Sequence, residues 1–257
     1  MKNSRIMLWA VFLLSAVVLV FISSRLIFAA DTGDDAEISE STLDSQLTKR
    51  EVPTDVLVEM DYFQKLNIVD HLDDGEMFEG YADYPVEFYE DGRLKMVFNP
   101  KNEMTLEVAV FKNGSIYNFF PSFKWASKVR VNNDRFSFSL DERYWRTIAG
   151  DVELDVYLQK DSEDDVRNFF RYKRASTSTF QGHGFNILNQ DGRKNGRYYS
   201  GHAHFKAESL TDETDSRITL SYTRDPAYFV ELGLFAIAID DDEAKIKEVT
   251  FPLIWAE

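Results

Sequence analysis

The sequence contains no cysteine. A disulfide framework, a thiolate-ligated zinc or iron–sulfur site and a thiol nucleophile are therefore all excluded, and stability has to come from a packed core. Positive charge is also scarce: 29 Lys and Arg stand against 44 Asp and Glu in 257 residues, a net charge of −15. Lys2, Arg5 and Arg25 fall in the first thirty residues, which hold no acid, so the other 26 basic and 44 acidic residues leave positions 31–257 at −18. Such a body does not suit nucleic acid, whose phosphates need a basic surface, and it would draw a basic protein or metal cations. Catalytic signatures are missing as well. There is no Gly-rich phosphate loop, no G-x-S-x-G and no H-E-x-x-H. A glycosidase-like acid pair cannot be picked from 44 acids without geometry. The chain reads as non-enzymatic rather than as an enzyme.

What is abundant is aromatic side chains, 21 Phe, 12 Tyr and 4 Trp, which favour strands because flat rings pack well on a pleated surface. Hydrophobic residues make up 44%, enough for a sizeable core in one large domain.

Residues 6–22 read IMLWAVFLLSAVVLVFI, and the apolar character continues past Arg25 to residue 28. A helix needs about 20 such residues to cross the hydrocarbon layer. Lys2 and Arg5 precede the run, and Asp31, Asp34, Asp35 and Glu37 follow it. The positive-inside rule then puts the amino terminus in the cytoplasm and the body in the periplasm or outside the cell. A cleaved signal peptide is the rival reading, with Ala29-Ala30 as its cleavage site. The run is long for that, and Phe28 stands where a small residue is wanted. The expected organisation is an anchor at 1–30, an acidic flexible tether at 31–52 that is poor in apolar residues, and a folded domain at 53–257.

Within that domain Asp61–Leu72 is a helix candidate. Turn chemistry at Glu90-Asp91-Gly92, Lys112-Asn113-Gly114 and Asn132-Asn133-Asp134 predicts three hairpins. Alternation in Phe136–Leu140 and Val152–Leu158 predicts strands with one dry and one wet face. Phe229–Ile239 reads as a central strand apolar on both sides, Ile218–Tyr222 as a half-buried strand, and Lys245–Trp255 as a closing strand. A helix is expected over Ser162–Arg174, where acids at the start and bases at the end suit the helix dipole. These features predict an all-β fold, an antiparallel β-sandwich of jelly-roll type with one or two short helices, preceded by a transmembrane helix. A closed barrel is the alternative.

Three of the four histidines cluster at His183, His202 and His204. In a strand, His202 and His204 share one face while Gly201, Ala203 and Phe205 share the other, so both imidazoles point away from the core. Such a His-x-His pair is suited to grip copper or zinc. His183 would add a third nitrogen if Phe185–Leu188 and Arg197–Lys206 form a hairpin. Without a third ligand in register the pair is an ordinary feature of a polar strand face. The acidic runs Asp73–Glu76 and Asp240–Glu243 match no calcium-loop spacing and read as solvated turns. The aromatic stretch Tyr117, Phe119, Phe120, Phe123 and Trp125, followed by Tyr144-Trp145, would be core or, where exposed, a platform for sugar rings or a protein partner.

Three functions remain. The first is a membrane-tethered module that docks a partner protein beside the bilayer. The second is a copper or zinc protein, and the third a carbohydrate-binding sandwich.

Overall fold

The computed structural model describes residues 38–88, 94–95, 104–127, 133–150, 152–159, 166–179, 182–188, 198–211, 217–224, 229–232, 235–238 and 245–252. Two units part between Ser39 and Glu40, and the second, Glu40–Glu257, holds the fold. The apolar run at 6–28, the acidic residues 31–37 and Asp240–Glu243 lie outside the described residues. Among the described residues no helix is long and apolar enough to cross a membrane.

The body is mostly antiparallel β-sheet with short helices. The helices are α1 (Glu40–Thr48), α2 (Thr54–Glu59) and α3 (Tyr62–His71). The strands are β1 (Met77–Phe88), β2 (Leu94–Lys95), β3 (Met104–Asn113), β4 (Ile116–Trp125), β5 (Asn133–Leu140), β6 (Trp145–Thr147), β7 (Glu153–Gln159) and β8 (Val166–Tyr172), then β9 (Thr177–Ser178), β10 (Gly182–Leu188), β11 (Tyr198–Ser209), β12 (Arg217–Arg224), β13 (Phe229–Leu232), β14 (Phe235–Ala238) and β15 (Lys245–Pro252). One sheet runs β2-β1-β3-β4-β11-β7-β8, with β6 also on β11. The second runs β15-β12-β5-β10-β9, and β13 and β14 form a separate pair.

Two predicted hairpins form. β1 pairs with β2, and β3 pairs with β4 around a turn in which Gly114 has φ +64°, a conformation glycine adopts freely. The third does not. Asn133 and Asp134 are instead the first residues of β5, opposite Leu188 and Ile187 of β10, and β5 pairs on both sides, with β10 and β12 of the second sheet; residues 128–132 lie outside the described residues. The predicted 185–206 hairpin does not form either, because β10 belongs to the second sheet and β11 to the first.

Two further expectations are corrected. Of the predicted helix over Ser162–Arg174, the described part is strand β8, whose Phe170 and Tyr172 pack on the core while Arg171 points the other way to Asp155. Alternation at period two outweighed the favourable end charges, which are worth only about 0.3–1 kcal/mol. The apolar run Phe229–Ile239 is not one central strand; it folds back on itself as β13 and β14, with Leu232 opposite Phe235.

Between the sheets the core is made of rings. Phe205 of β11 stacks on Phe119 at 5.0 Å and on Phe138 of the opposite sheet at 4.7 Å. Phe123 meets Phe136 and Tyr222 edge-on at 5.1 and 4.8 Å. Gly201 sits directly opposite Phe123, and a Cβ there would fall 2.5 Å from the ring's Cζ, so the close approach of strand and ring requires glycine. Tyr117, Phe119, Phe120, Phe123, Trp125 and Trp145 are all buried. These rings are interior packing and do not form an exposed platform.

The outer face of the first sheet is covered too. Leu47, Val52, Leu57, Met60 and Ile68 of the helical segment close on Ala109, Phe111 and Phe120. Residues 40–51, expected as part of a flexible tether, are therefore ordered at the start of this roof. Leu43 and Leu47 lie one helical turn apart and are fully buried, each contributing about 1.5–3 kcal/mol of transfer free energy. Lys65 of α3 ties the roof together, its ammonium 2.6 Å from Glu40 and 2.8 Å from Asp44 of α1.

Candidate functional site

Helix α3 begins where Asp61 caps it, the carboxylate accepting from the Gln64 N–H at 2.8 Å. It ends before the turn Asp73–Glu76, in which Gly75 adopts φ +82°. That turn is only half solvated. Asp74 is exposed, but Glu76 is buried and accepts from the Asp73 N–H at 2.8 Å and from Asn118 Nδ2 at 3.3 Å. Helix α3 is thereby laid along the polar residues of the outer face of β3, β4, β7 and β11.

Side-chain polarity on this face was legible, but exposure was not. His202 and His204 do point away from the sandwich core, on the same face of β11, yet they are 2% and 4% exposed because the helices cover them. His202 Nε2 lies 3.2 Å from Ser200 Oγ and 3.8 Å from the Asp61 carboxylate. Burial holds its pKa below the ordinary value, partly offset by the charges of Asp61 and Asp155. Beside it Gln64 Nε2 donates to Ser122 Oγ at 3.4 Å, and Ser122 Oγ donates to Glu107 Oε2 at 3.3 Å. Burial, reinforced by the Asp61 charge, pushes the Glu107 carboxyl up to about 8.

His204 meets a partner the sequence did not point to. Its ring stacks on His71, at the end of α3, with centroids 3.7 Å apart and planes 23° apart. His71 Nδ1 lies 2.8 Å from the Asn67 carbonyl, which can only accept, so Nδ1 carries a proton. Its Nε2 is 3.9 Å from Glu153 Oε2. The His204 pKa falls to about 3, chiefly through burial and further through the nearby charges of His71, Lys206 and Arg171. Its Nδ1 is buried with no hydrogen-bond partner. The two rings open onto a cleft of about 270 Å³ walled by Asp70, Asp73, Glu153 and Lys206. At the rim Arg171 grips Asp155 with two bonds of 2.7 Å and approaches Glu153 at 3.6 Å, while Lys206 is paired with Asp73.

His183 lies elsewhere. On β10 it is opposite Phe138, and its ring meets Phe138 and Phe205 at 5.9 and 5.7 Å, inside the sandwich. Its Nδ1 is 3.0 Å from Ser178 Oγ, and burial lowers its pKa to about 4. The sheet lies between it and the outer-face pair, so His183, His202 and His204 are not brought to one point. Among the described residues no group of three or more His, Cys, Asp and Glu is arranged to hold a metal ion. Of the cleft contributors missed in the sequence, His71 and Asp70 carry no local signal and meet His204 only because α3 crosses β11, whereas Glu153 comes from β7, directly opposite His204 in the strand register.

No family model matches the chain, and no curated protein matches it. Solved structures similar to it include a collagen-binding domain from a Staphylococcus aureus adhesin (7% identity, 52% of this chain and 87% of that one, TM-score 0.32) and a pore-forming protein (10% identity, 70% and 93%, TM-score 0.32). Clostridium perfringens delta-toxin is also similar (7% identity, 68% and 88%, TM-score 0.29). At these scores the likeness carries no argument about function.

Proposed function

We propose that this chain is a single-pass, membrane-tethered module whose β-sandwich body stands on the non-cytoplasmic side and docks a partner protein of a membrane complex. The observation that carries the reading is the apolar run at 6–22, bracketed by Lys2 and Arg5 before it and Asp31, Asp34, Asp35 and Glu37 after it. The −18 charge of residues 31–257 favours a basic docking partner. The copper or zinc reading has lost its third nitrogen at His183 and is carried no further here.

The full-length chain is expected to sediment with membranes and to stay there through an alkaline carbonate wash, whereas a chain lacking residues 1–30 should be released to the soluble fraction. Protease added outside intact cells stripped of any wall should digest the body. Recovery of the full chain in the soluble fraction, or a body digested only after the membrane is opened, would overturn the reading.

A further inference from the structure

We propose that the helical roof over residues 40–72 is a lid, which opens as one body and bares the histidine-bearing face of the first sheet while the sandwich stays folded. Connectivity permits this motion. The roof is a continuous segment that contributes no strand to either sheet, and the chain joins it to the first sheet only through the turn before β1. Its departure therefore breaks no rung of a β-ladder.

The bonds between roof and sheet are graded along its length. They are closest beside the turn, where the Phe78 N–H donates to the Arg50 carbonyl at 2.8 Å, Asn118 Nδ2 to the His71 carbonyl at 3.0 Å, and Arg50 Nη1 to the Glu76 carbonyl at 3.1 Å. This end is the hinge. At the other end of α3 the contacts lengthen: Gln64 Nε2 is 3.4 Å from Ser122 Oγ, and Asp61 is 3.6 Å from Lys124 and 3.8 Å from His202. Within the roof the ties are short again, with Lys65 of α3 holding Glu40 and Asp44 of α1 at 2.6 and 2.8 Å, so the helices move together.

The closed state is also imperfectly satisfied. Gln64 Oε1, both side-chain polar atoms of Asn67, Tyr81 OH, Asn118 Oδ1 and the Nδ1 atoms of His202 and His204 are buried in this contact with no hydrogen-bond partner. Each raises the free energy of the closed roof, and each gains a partner from solvent when the roof lifts. What holds the roof down is the apolar cluster of Leu47, Val52, Leu57, Met60 and Ile68 on Phe111 and Phe120. The open form is thus a minor state of the folded chain, reached below the free energy of global unfolding. The lid would stand whether or not the chain is tethered.

Hydrogen exchange of the full-length chain in mild detergent, resolved by peptide and repeated at rising urea below the unfolding transition, tests the lid. Peptides spanning 43–71 should exchange together, at least about tenfold faster than the ladder amides of β4 and β11, and with a weaker dependence on urea because opening exposes less surface than unfolding does. Asn67→Leu replaces two unpartnered polar atoms by an apolar side chain of similar size and should slow exchange across 43–71 about tenfold. The proposal is overturned if roof and strands share one rate and one urea slope, if α1, α2 and α3 exchange at unrelated rates, or if the roof exchanges as fast in Asn67→Leu as in the parent.

Discussion

Phe205→Ala should lower the free energy of unfolding by about 3–5 kcal/mol, the cost of removing a buried aromatic ring where the surroundings cannot close the space. At this position one ring bridges both sheets. It is fully buried, stacks on Phe119 of its own sheet and on Phe138 of the other, and meets His183 edge-on. Collapse around the cavity would have to move strands of two sheets that are held by ladders of hydrogen bonds, so relaxation is small and the cavity persists. Phe205→Leu keeps most of the volume and should lose roughly 1 kcal/mol. Urea unfolding of the two variants checks this. Equal losses for Ala and Leu, or a loss under 1 kcal/mol for Ala, would mean that Phe205 does not bridge the sheets.

Stability should also depend strongly on pH, with a maximum near 6.5. In the unfolded chain His183 and His204 titrate close to 6.5, but in the folded chain burial holds them to about 4 and about 3. The unfolded state therefore binds more protons below 6.5. The stability contributed by the two neutral rings is complete above that pH and is lost as pH falls toward 4 and 3. Glu107 has the opposite sign. Its folded carboxyl titrates at about 8 instead of 4.5, so its contribution is complete below 4.5 and is lost as pH rises to 8. Between 4.5 and 6.5 the two histidines outweigh the one carboxyl, and above 6.5 the carboxyl acts alone. At about 1.4 kcal/mol per unit, each group is worth a few kcal/mol. The urea midpoint measured from pH 4.5 to 8.5 should climb to 6.5 and then decline. His204→Gln should flatten the acid side and Glu107→Gln the alkaline side. A midpoint that keeps rising to pH 8, or an acid limb that His204→Gln leaves unchanged, would contradict these assignments.

The sandwich was readable because its signals are local. Turn residues at Glu90-Asp91-Gly92 and Lys112-Asn113-Gly114 mark hairpins, and alternation from Phe136 to Leu140 and from Val152 to Leu158 marks strands. Asn133 and Asp134 have the same chemistry, yet they open strand β5 of the second sheet, because turn residues permit a change of direction without imposing one. The roof was not readable for a related reason. Leu43 and Leu47 are isolated apolar residues in an acidic stretch, and Leu47 is buried in a cluster with Phe111 and Phe120, some seventy positions away. The same gap explains the histidines. Their sidedness follows from the period of a strand, whereas their environment is set by a helix that sequence distance does not connect to them. Polar and exposed are separate properties, and here α3 separates them: Glu107, Asn118, Ser122, Asp155, His202 and His204 form a polar face that is dry.

The absence of cysteine makes the roof directly measurable. A single cysteine replacing Ser122, which is 2% exposed beneath Gln64 of α3, can be compared with one replacing Val58 on α2, which is 77% exposed. In native buffer a maleimide should modify Val58→Cys at the rate of a free thiol and Ser122→Cys at least about a hundredfold more slowly, with the two rates converging in urea. If Ser122→Cys reacts as fast as Val58→Cys in the native protein, the helices do not cover the histidine-bearing face.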